Sequence, residues 1–251
     1  MKHFAKKKWG QNFLIDPNLL SKIIRTIDLD KIDNVLEIGP GEGVLTERIL
    51  PIVNSLAVIE IDPLLVEYLR SLNSIKDCYI IHGDVLWQEL KALPINRPVK
   101  IIGNIPYNIT SPILFWLIEQ REDWSEAYVM VQKEVALRLI GQVRTKAYGR
   151  LTVMTGAFLK IEKCFNIPPE VFVPRPNVNS TFIKITKKAT PIITDEQFNK
   201  FEKIVKAAFS KRRKMLQNSL SGFDISQEIK DKINFTRRPE TLSIAEFAEL
   251  I

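Results

Sequence analysis

Apolar positions along this chain fall into two patterns. Some form short continuous runs; others recur every three to four residues over longer stretches. The first pattern marks strands and the second helices. Residues 34–38, 55–61, 78–82, 99–103 and 127–131 are runs of the first kind, rich in Val, Ile and Leu. Helical spacing appears in Leu19, Leu20, Ile23, Ile24 and Ile27, behind an Asp16-Pro17 start, and again over residues 44–50 and 64–72. Ser111-Pro112 opens one more helix, running through Leu117. Asp before a helix can satisfy its unpaired N–H groups, and Pro fits the first turn. Alternating strands and helices of this kind predict an α/β architecture with a parallel, doubly wound sheet in the N-terminal two thirds.

The pattern changes after about residue 150. A helix over 151–158 precedes two further strand-like runs, 161–166 and 179–186, which flank a proline-rich loop at 168–176. From Thr194 onward the periodicity is helical only, interrupted near Ser221-Gly222 and Arg237-Arg238-Pro239. Between 187 and 191 apolar alternation gives way to Lys, Thr and Pro, which places a domain boundary there. The expected domains are 1–187 and 188–251, the second small and all-helical.

With 251 residues, 45% of them hydrophobic and 26% charged, the chain has ample material for a core. No apolar run reaches the roughly 18–20 residues of a membrane span. The N-terminus is basic, but no apolar stretch follows it, so a secretory signal is not expected and a cytoplasmic location is. Cys78 and Cys164 are expected to be free thiols. With His3 and His82 as the only histidines, no Cys/His metal site is expected. A formal charge of +7 suggests a polyanionic partner, nucleic acid above all, the bland alternative being a merely basic enzyme. A monomer is the default expectation.

Chemistry concentrates at strand ends. Gly39-Pro40-Gly41-Glu42-Gly43 separates a strand from a helix, where glycines let backbone N–H groups approach a ligand closely. Glu60, 21 residues past Gly39, ends the next strand and can accept hydrogen bonds from both hydroxyls of a ribose. The spacing GxGxG departs from the GxGxxG of dinucleotide enzymes, which weakens an NAD-dehydrogenase reading but leaves the nucleoside open. Asp84, after Gly83, supplies an acid where an adenine amino group would lie. Asn104-Ile105-Pro106-Tyr107 then selects a reaction. The N6 nitrogen of adenine is a poor nucleophile because its lone pair is delocalised into the ring. Two acceptors, the Asn104 side-chain oxygen and the Ile105 carbonyl, can hold its two N–H bonds out of that plane. Pro106 stiffens the loop, and Tyr107 offers a face for stacking an extruded base.

Gly10-Gln11-Asn12-Phe13-Leu14, residues 37–43 and Asn104-Ile105-Pro106-Tyr107 together resemble the ribosomal RNA adenine N6-dimethyltransferases. That family has small-subunit (KsgA-like) and large-subunit (Erm) branches, and the resemblance covers nearly the whole chain. It implies a class I, Rossmann-like methyltransferase domain that uses S-adenosylmethionine. It also implies that Asn12, Leu14, Gly39, Gly41, Glu60, Asp84 and Asn104 line the cofactor site, with Gln11 closing over it. Read alone, residues 6–14 are a basic arm with an apolar anchor. Phe172 occupies the position of a family aromatic placed against the target base; read alone, it is a hydrophobic plug.

The C-terminal part resembles the small-subunit branch, in residues 207–220 and again in residues 237–243. Lys211, Arg212, Arg213 and Lys214 are read as phosphate contacts at the start of a helix, extended by Arg144, Lys146, Arg150 and Arg175. The resulting expectation is an enzyme that dimethylates two adjacent adenosines in a hairpin loop near the 3′ end of 16S RNA, within an immature small subunit. The rivals are an Erm-type 23S RNA methylase and a ribosome-assembly factor that binds RNA without catalysis.

Overall fold

Residues 11–211 and 213–251 are described by the structure, a computed structural model. The basic N-terminal residues, Gly10 and Arg212 lie outside the described residues. A two-residue strand, β1 (Phe13–Leu14), leads into helix α1 (Pro17–Ile27). The Asp16 carboxylate accepts a hydrogen bond from the Leu19 N–H at 2.7 Å, and Pro17 takes the first turn. Leu19, Leu20, Ile23 and Ile27 share the buried face.

The alternation read from the sequence then unfolds: β2 (Asn34–Ile38), α2 (Thr46–Ile49), β3 (Ser55–Glu60), α3 (Pro63–Ser71), β4 (Tyr79–His82), β5 (Val99–Gly103), α4 (Thr110–Glu119) and β6 (Trp124–Gln132). Helix α2 is one turn, shorter than the run 44–50 suggested, because Gly43 and its neighbours stay in the preceding turn. There follow α5 (Lys133–Leu139), α6 (Arg150–Gly156), β7 (Leu159–Ile167), β8 (Phe172–Val173) and β9 (Ser180–Lys187). Helices α7 (Asp195–Ser210), α8 (Leu216–Ser219), α9 (Gln227–Ile233) and α10 (Ile244–Ala248) complete the chain.

Seven strands form one sheet in the order β4-β3-β2-β5-β6-β9-β7, while β1 and β8 pair separately. The pairs β2–β3, β2–β5, β3–β4 and β5–β6 are parallel, and β9 runs antiparallel to β6. Val35 and Leu36 of β2 and Leu56, Ala57 and Val58 of β3 are fully buried, as strands covered on both faces must be. From β2 the chain builds outward through β3 and β4, then returns to the other side of β2 with β5. Strand order therefore reverses between β2 and β5. A crevice opens at such a switch, beyond the carboxyl ends of the strands. Among the described residues, no helix is long and apolar enough to cross a membrane.

By contacts the chain forms two compact units. One holds the residues up to Lys133 together with Glu162–Thr186; the other holds Glu134–Ile161 and Lys187–Ile251. This corrects the division at 187, which assigned 134–161 to the first domain. Strand periodicity reports local conformation, whereas the packing partner of α5 and α6 is a tertiary matter. Within the second unit Tyr148 donates to the Leu242 carbonyl at 2.7 Å, and Arg150 pairs with Glu202 at 2.7 Å. Phe201, Ile204, Val205 and Ala208 form the buried stripe of α7.

A second correction concerns the basic cluster. Lys211 caps the end of α7, and Lys214 donates its backbone N–H to the Lys211 carbonyl in the turn that follows. Lys211, Arg213 and Lys214 thus sit in the turn between the C-terminus of a 16-residue helix, whose dipole favours cations, and the one-turn helix α8 that starts at Leu216.

Candidate active site

The crevice at the β2/β5 switch holds a cavity of about 320 Å³. Its walls come from the ends of β2, β3, β4 and β5, so residues far apart in sequence meet there. Strand register explains the meeting: Ile38 lies opposite both Ile59 and Gly103. Gly39 and Asn104, the residues that follow, are therefore neighbours. A Cβ added at Gly39 would lie 3.6 Å from the Asn104 carbonyl oxygen.

The glycine turn needs its glycines for two different reasons. Gly39, Gly41 and Gly43 all have positive φ (68°, 58° and 78°), a region costly for other L-residues. At Gly41 a Cβ would also come within 2.9 Å of the Phe13 ring. Phe13 thus closes on the turn from β1.

Glu60 ends β3 with 5% of its surface exposed. Its Oε1 accepts from the Ile61 and Asp62 N–H groups at 2.9 Å each, while among the described residues Oε2 has only the distant Gly41 N–H at 3.4 Å. One carboxylate oxygen is fixed by backbone and the other faces the cavity, poised to accept from a ligand. Burial pushes its pKa up, against the opposing backbone hydrogen bonds. Glu37 of β2 is buried as well, accepts from the Thr46 hydroxyl at 2.6 Å, and is pushed up to about 7, chiefly by desolvation. Asp84 follows β4 and caps the next turn, accepting from the Leu86 N–H at 3.0 Å.

Asn104 follows β5. Its Nδ2 donates to the Asn12 carbonyl at 2.8 Å, which turns its Oδ1 the other way, where no donor among the described residues reaches it. Tyr107, half-buried, is held by a 2.6 Å hydrogen bond between its hydroxyl and Ser180 on β9. Desolvation, only partly offset by that bond, pushes the phenol pKa up, so the ring stays neutral. The Ile109 N–H to Pro106 carbonyl bond of 3.1 Å closes the turn before α4.

Gln11, Asn12, Leu14, Gly39, Gly41, Glu60, Asp84 and Asn104 all line this cavity, as do Ile105, Pro106 and Tyr107. Gln11 reaches it from the N-terminal segment, donating to Asp62 at 3.2 Å. Phe172 does not line it. The register Leu14↔Phe172 turns both side chains into the core, and Phe172 is 2% exposed there. In this structure Phe172 is the hydrophobic plug, packed against β1. Of the basic side chains proposed to extend the phosphate contacts, Arg150 and Arg175 are paired with Glu202 and Glu170. The sequence reading missed Glu37 as a cavity group, and Phe13, Ile61 and Val85 as apolar wall. Their signal was position within three residues of a strand end, which hydrophobicity alone does not separate from core.

A glycine turn, an acid ending the next strand and a crevice at the sheet's switch point give the chain a Rossmann-like architecture, and the comparisons with known proteins place it in the methyltransferase class. The ribosomal RNA adenine dimethylase profile matches residues 2–251, and the chain belongs to that family. It is 40% identical to the ribosomal RNA small subunit methyltransferase A of Enterococcus faecalis, over 98% of this chain and 88% of that protein. The crystal structure of a dimethyladenosine transferase from Plasmodium falciparum superposes with a TM-score of 0.80 at 26% identity, covering 95% of each chain. That of the 23S rRNA methyltransferase ErmE gives 0.72 at 28% identity, covering 95% of this chain and 98% of the other.

Proposed function

We propose that this ribosomal RNA adenine dimethyltransferase binds S-adenosylmethionine in the β2/β5 crevice and presents an adenosine of small-subunit RNA to it at Asn104–Tyr107. The cavity residues fit that cofactor. Glu60 Oε2 is left for the ribose hydroxyls, Asp84 for the adenine amino group, and Ile61 and Val85 for the adenine face. The positive-φ glycines clear room for the amino-acid tail, with Gln11, Asn12 and Leu14 along the wall. When bound, the cofactor supplies an electrophilic methyl group on a sulfonium.

The chain's own task is positioning. Asn104 Oδ1 and the Ile105 carbonyl accept the two N6 hydrogens and hold them out of the ring plane, so that the nitrogen lone pair is withdrawn from conjugation with the ring and faces the methyl. Tyr107, pinned by Ser180, stacks the base. Once methylated, the nitrogen is acidic enough to release its proton without a dedicated base, and a second turnover gives the dimethylated product. Alignment of nucleophile and methyl carries most of the rate enhancement. The single observation supporting this reading is the Asn12 carbonyl, which fixes the Asn104 amide with its acceptor oxygen outward.

We assign the RNA as two adjacent adenosines in the hairpin loop near the 3′ end of 16S RNA, reached in an immature small subunit. Support comes from the 40% identity to the E. faecalis small-subunit enzyme over 98% of this chain. Target bases in a loop are cheaper to extrude than stacked ones. The test is mass mapping of dimethyladenosine after incubation with labelled S-adenosylmethionine. Label in unmethylated small subunits and none in naked 23S RNA supports the assignment. The reverse pattern establishes the Erm-type activity, and no label in either leaves a binding-only assembly factor.

A further inference from the structure

Among the described residues Trp87 is the most exposed large hydrophobic side chain, at 86%. Trp116 and Trp124, by contrast, are 4% and 0% exposed. An indole left in water needs a reason, because burying it is strongly favourable. Its backbone is held firmly. Trp87 ends a 3-10 turn, Val85–Trp87, begun by Asp84, whose carbonyl accepts the Trp87 N–H at 3.1 Å. Gln88, next in the chain, is anchored to α4: the Trp116 indole donates to its carbonyl at 2.9 Å. Two residues on, the Leu90 N–H bonds to Gln120, just past that helix, at 3.0 Å. The surface indole therefore stands on a fixed base.

Its place relative to the active site is equally defined. Asp84 and Val85 line the cavity, and Trp87 lies two residues further along the same turn. Helix α4, which anchors the turn, begins directly after the Asn104–Tyr107 segment. Strands β4 and β5 stand three positions apart in the sheet, roughly 14 Å at the usual spacing. The turn that carries Trp87 and the Asn104–Tyr107 segment thus leave the carboxyl ends of strands in one sheet, separated across it by a span of a few nucleotides.

We propose that Trp87 is a second stacking platform for the substrate, receiving an unpaired base of the ribosomal RNA that flanks the target adenosine. The proposal rests on the RNA methyltransferase reading and adds a contact beside the chemistry. A flat, exposed aromatic on an anchored backbone, in a protein of net charge +7, suits single-stranded RNA, whose bases all offer a π-face. The role is binding: the indole adds affinity and register for RNA and touches no reacting atom.

Wild type, Trp87→Ala and Trp87→Phe are compared for methylation of unmethylated small ribosomal subunits and for S-adenosylmethionine affinity. Trp87→Ala is expected to raise KM for the subunits about ten-fold, in line with the loss of one base–aromatic stack. It should leave kcat and cofactor affinity unchanged, and Trp87→Phe should recover most of the loss. Tryptophan emission of the wild type should be quenched on adding subunits, and that quenching should be absent in Trp87→Phe. An unchanged KM in Trp87→Ala overturns the proposal while leaving the methyltransferase reading intact. An equal fall in cofactor affinity overturns it by placing the indole in the cofactor pocket. Absence of methylation by wild type removes both readings.

Discussion

Asn104 shows how much one hydrogen bond decides. Its amide can point two ways, and only one presents an acceptor to an amine. The Asn12 carbonyl, 92 positions earlier, selects that one. Removing the acceptor in Asn104→Ala is expected to lower kcat by a factor of about 10²–10³, as removal of one preorganised transition-state partner does elsewhere. Single-turnover methylation at saturating RNA and cofactor checks it. Glu37 makes a different prediction. Its pKa in the folded protein is raised from 4.5 to about 7, so between those values the folded state holds a proton that the unfolded chain has lost. Stability therefore falls as pH rises through that window and levels off above it. Glu60, also raised, adds in the same direction. Glu37→Gln mimics the protonated form and should flatten the profile, making the cofactor-free protein more stable at pH 8 by on the order of 3 kcal/mol. Urea titrations from pH 5 to 8 measure this. Phe172 carries the opposite lesson: its type and neighbours matched a functional motif, yet one β-pair with Leu14 turned it inward.

Among the elements, the turn from β2 to α2 combines backbone strain with close approach. Gly41→Ala must adopt φ near 58° with its Cβ 2.9 Å from Phe13, and the ring has to move. Because β1 and the segment leading into it line the cavity through Gln11, Asn12 and Leu14 as well, that displacement should weaken S-adenosylmethionine binding by at least ten-fold. Calorimetric titration reads the effect, and circular dichroism should show the fold retained. The strand runs and the Asp16-Pro17 helix start were legible in sequence, since period and capping chemistry are local. Strands β1 and β8 were not, being two residues each and held only by each other. The position of Lys211, Arg213 and Lys214 was half legible for a related reason. The charges before α8 are visible in sequence, but that they also end α7 depends on where that helix stops.

For the whole molecule, a net charge of +7 sets long-range attraction to RNA, and the exposed basic turn after α7 is one place where it concentrates. If Lys211, Arg213 and Lys214 each neutralise a phosphate, replacing all three with Ala should lessen the slope of log K against log salt by about 2. Binding of unmethylated small subunits between 50 and 200 mM salt measures that slope. The same variant should lose no more than about 1 kcal/mol of stability per residue, since cations past a helix C-terminus are mildly favourable. The division into two compact units was half legible. The change of periodicity near 187 was visible, whereas the assignment of 134–161 to the second unit rests on packing.

The sequence by itself determined the α/β alternation, the glycine turn, the two strand-end acids and the Asn104–Tyr107 segment, because each is written in local periodicity or residue chemistry. Tertiary structure alone decided which way Asn104 faces, that Glu37 joins the cavity, that Phe172 is core, and which unit claims α5 and α6. Those outcomes depend on strand order and register, which bring together residues tens of positions apart. No local pattern encodes such distances.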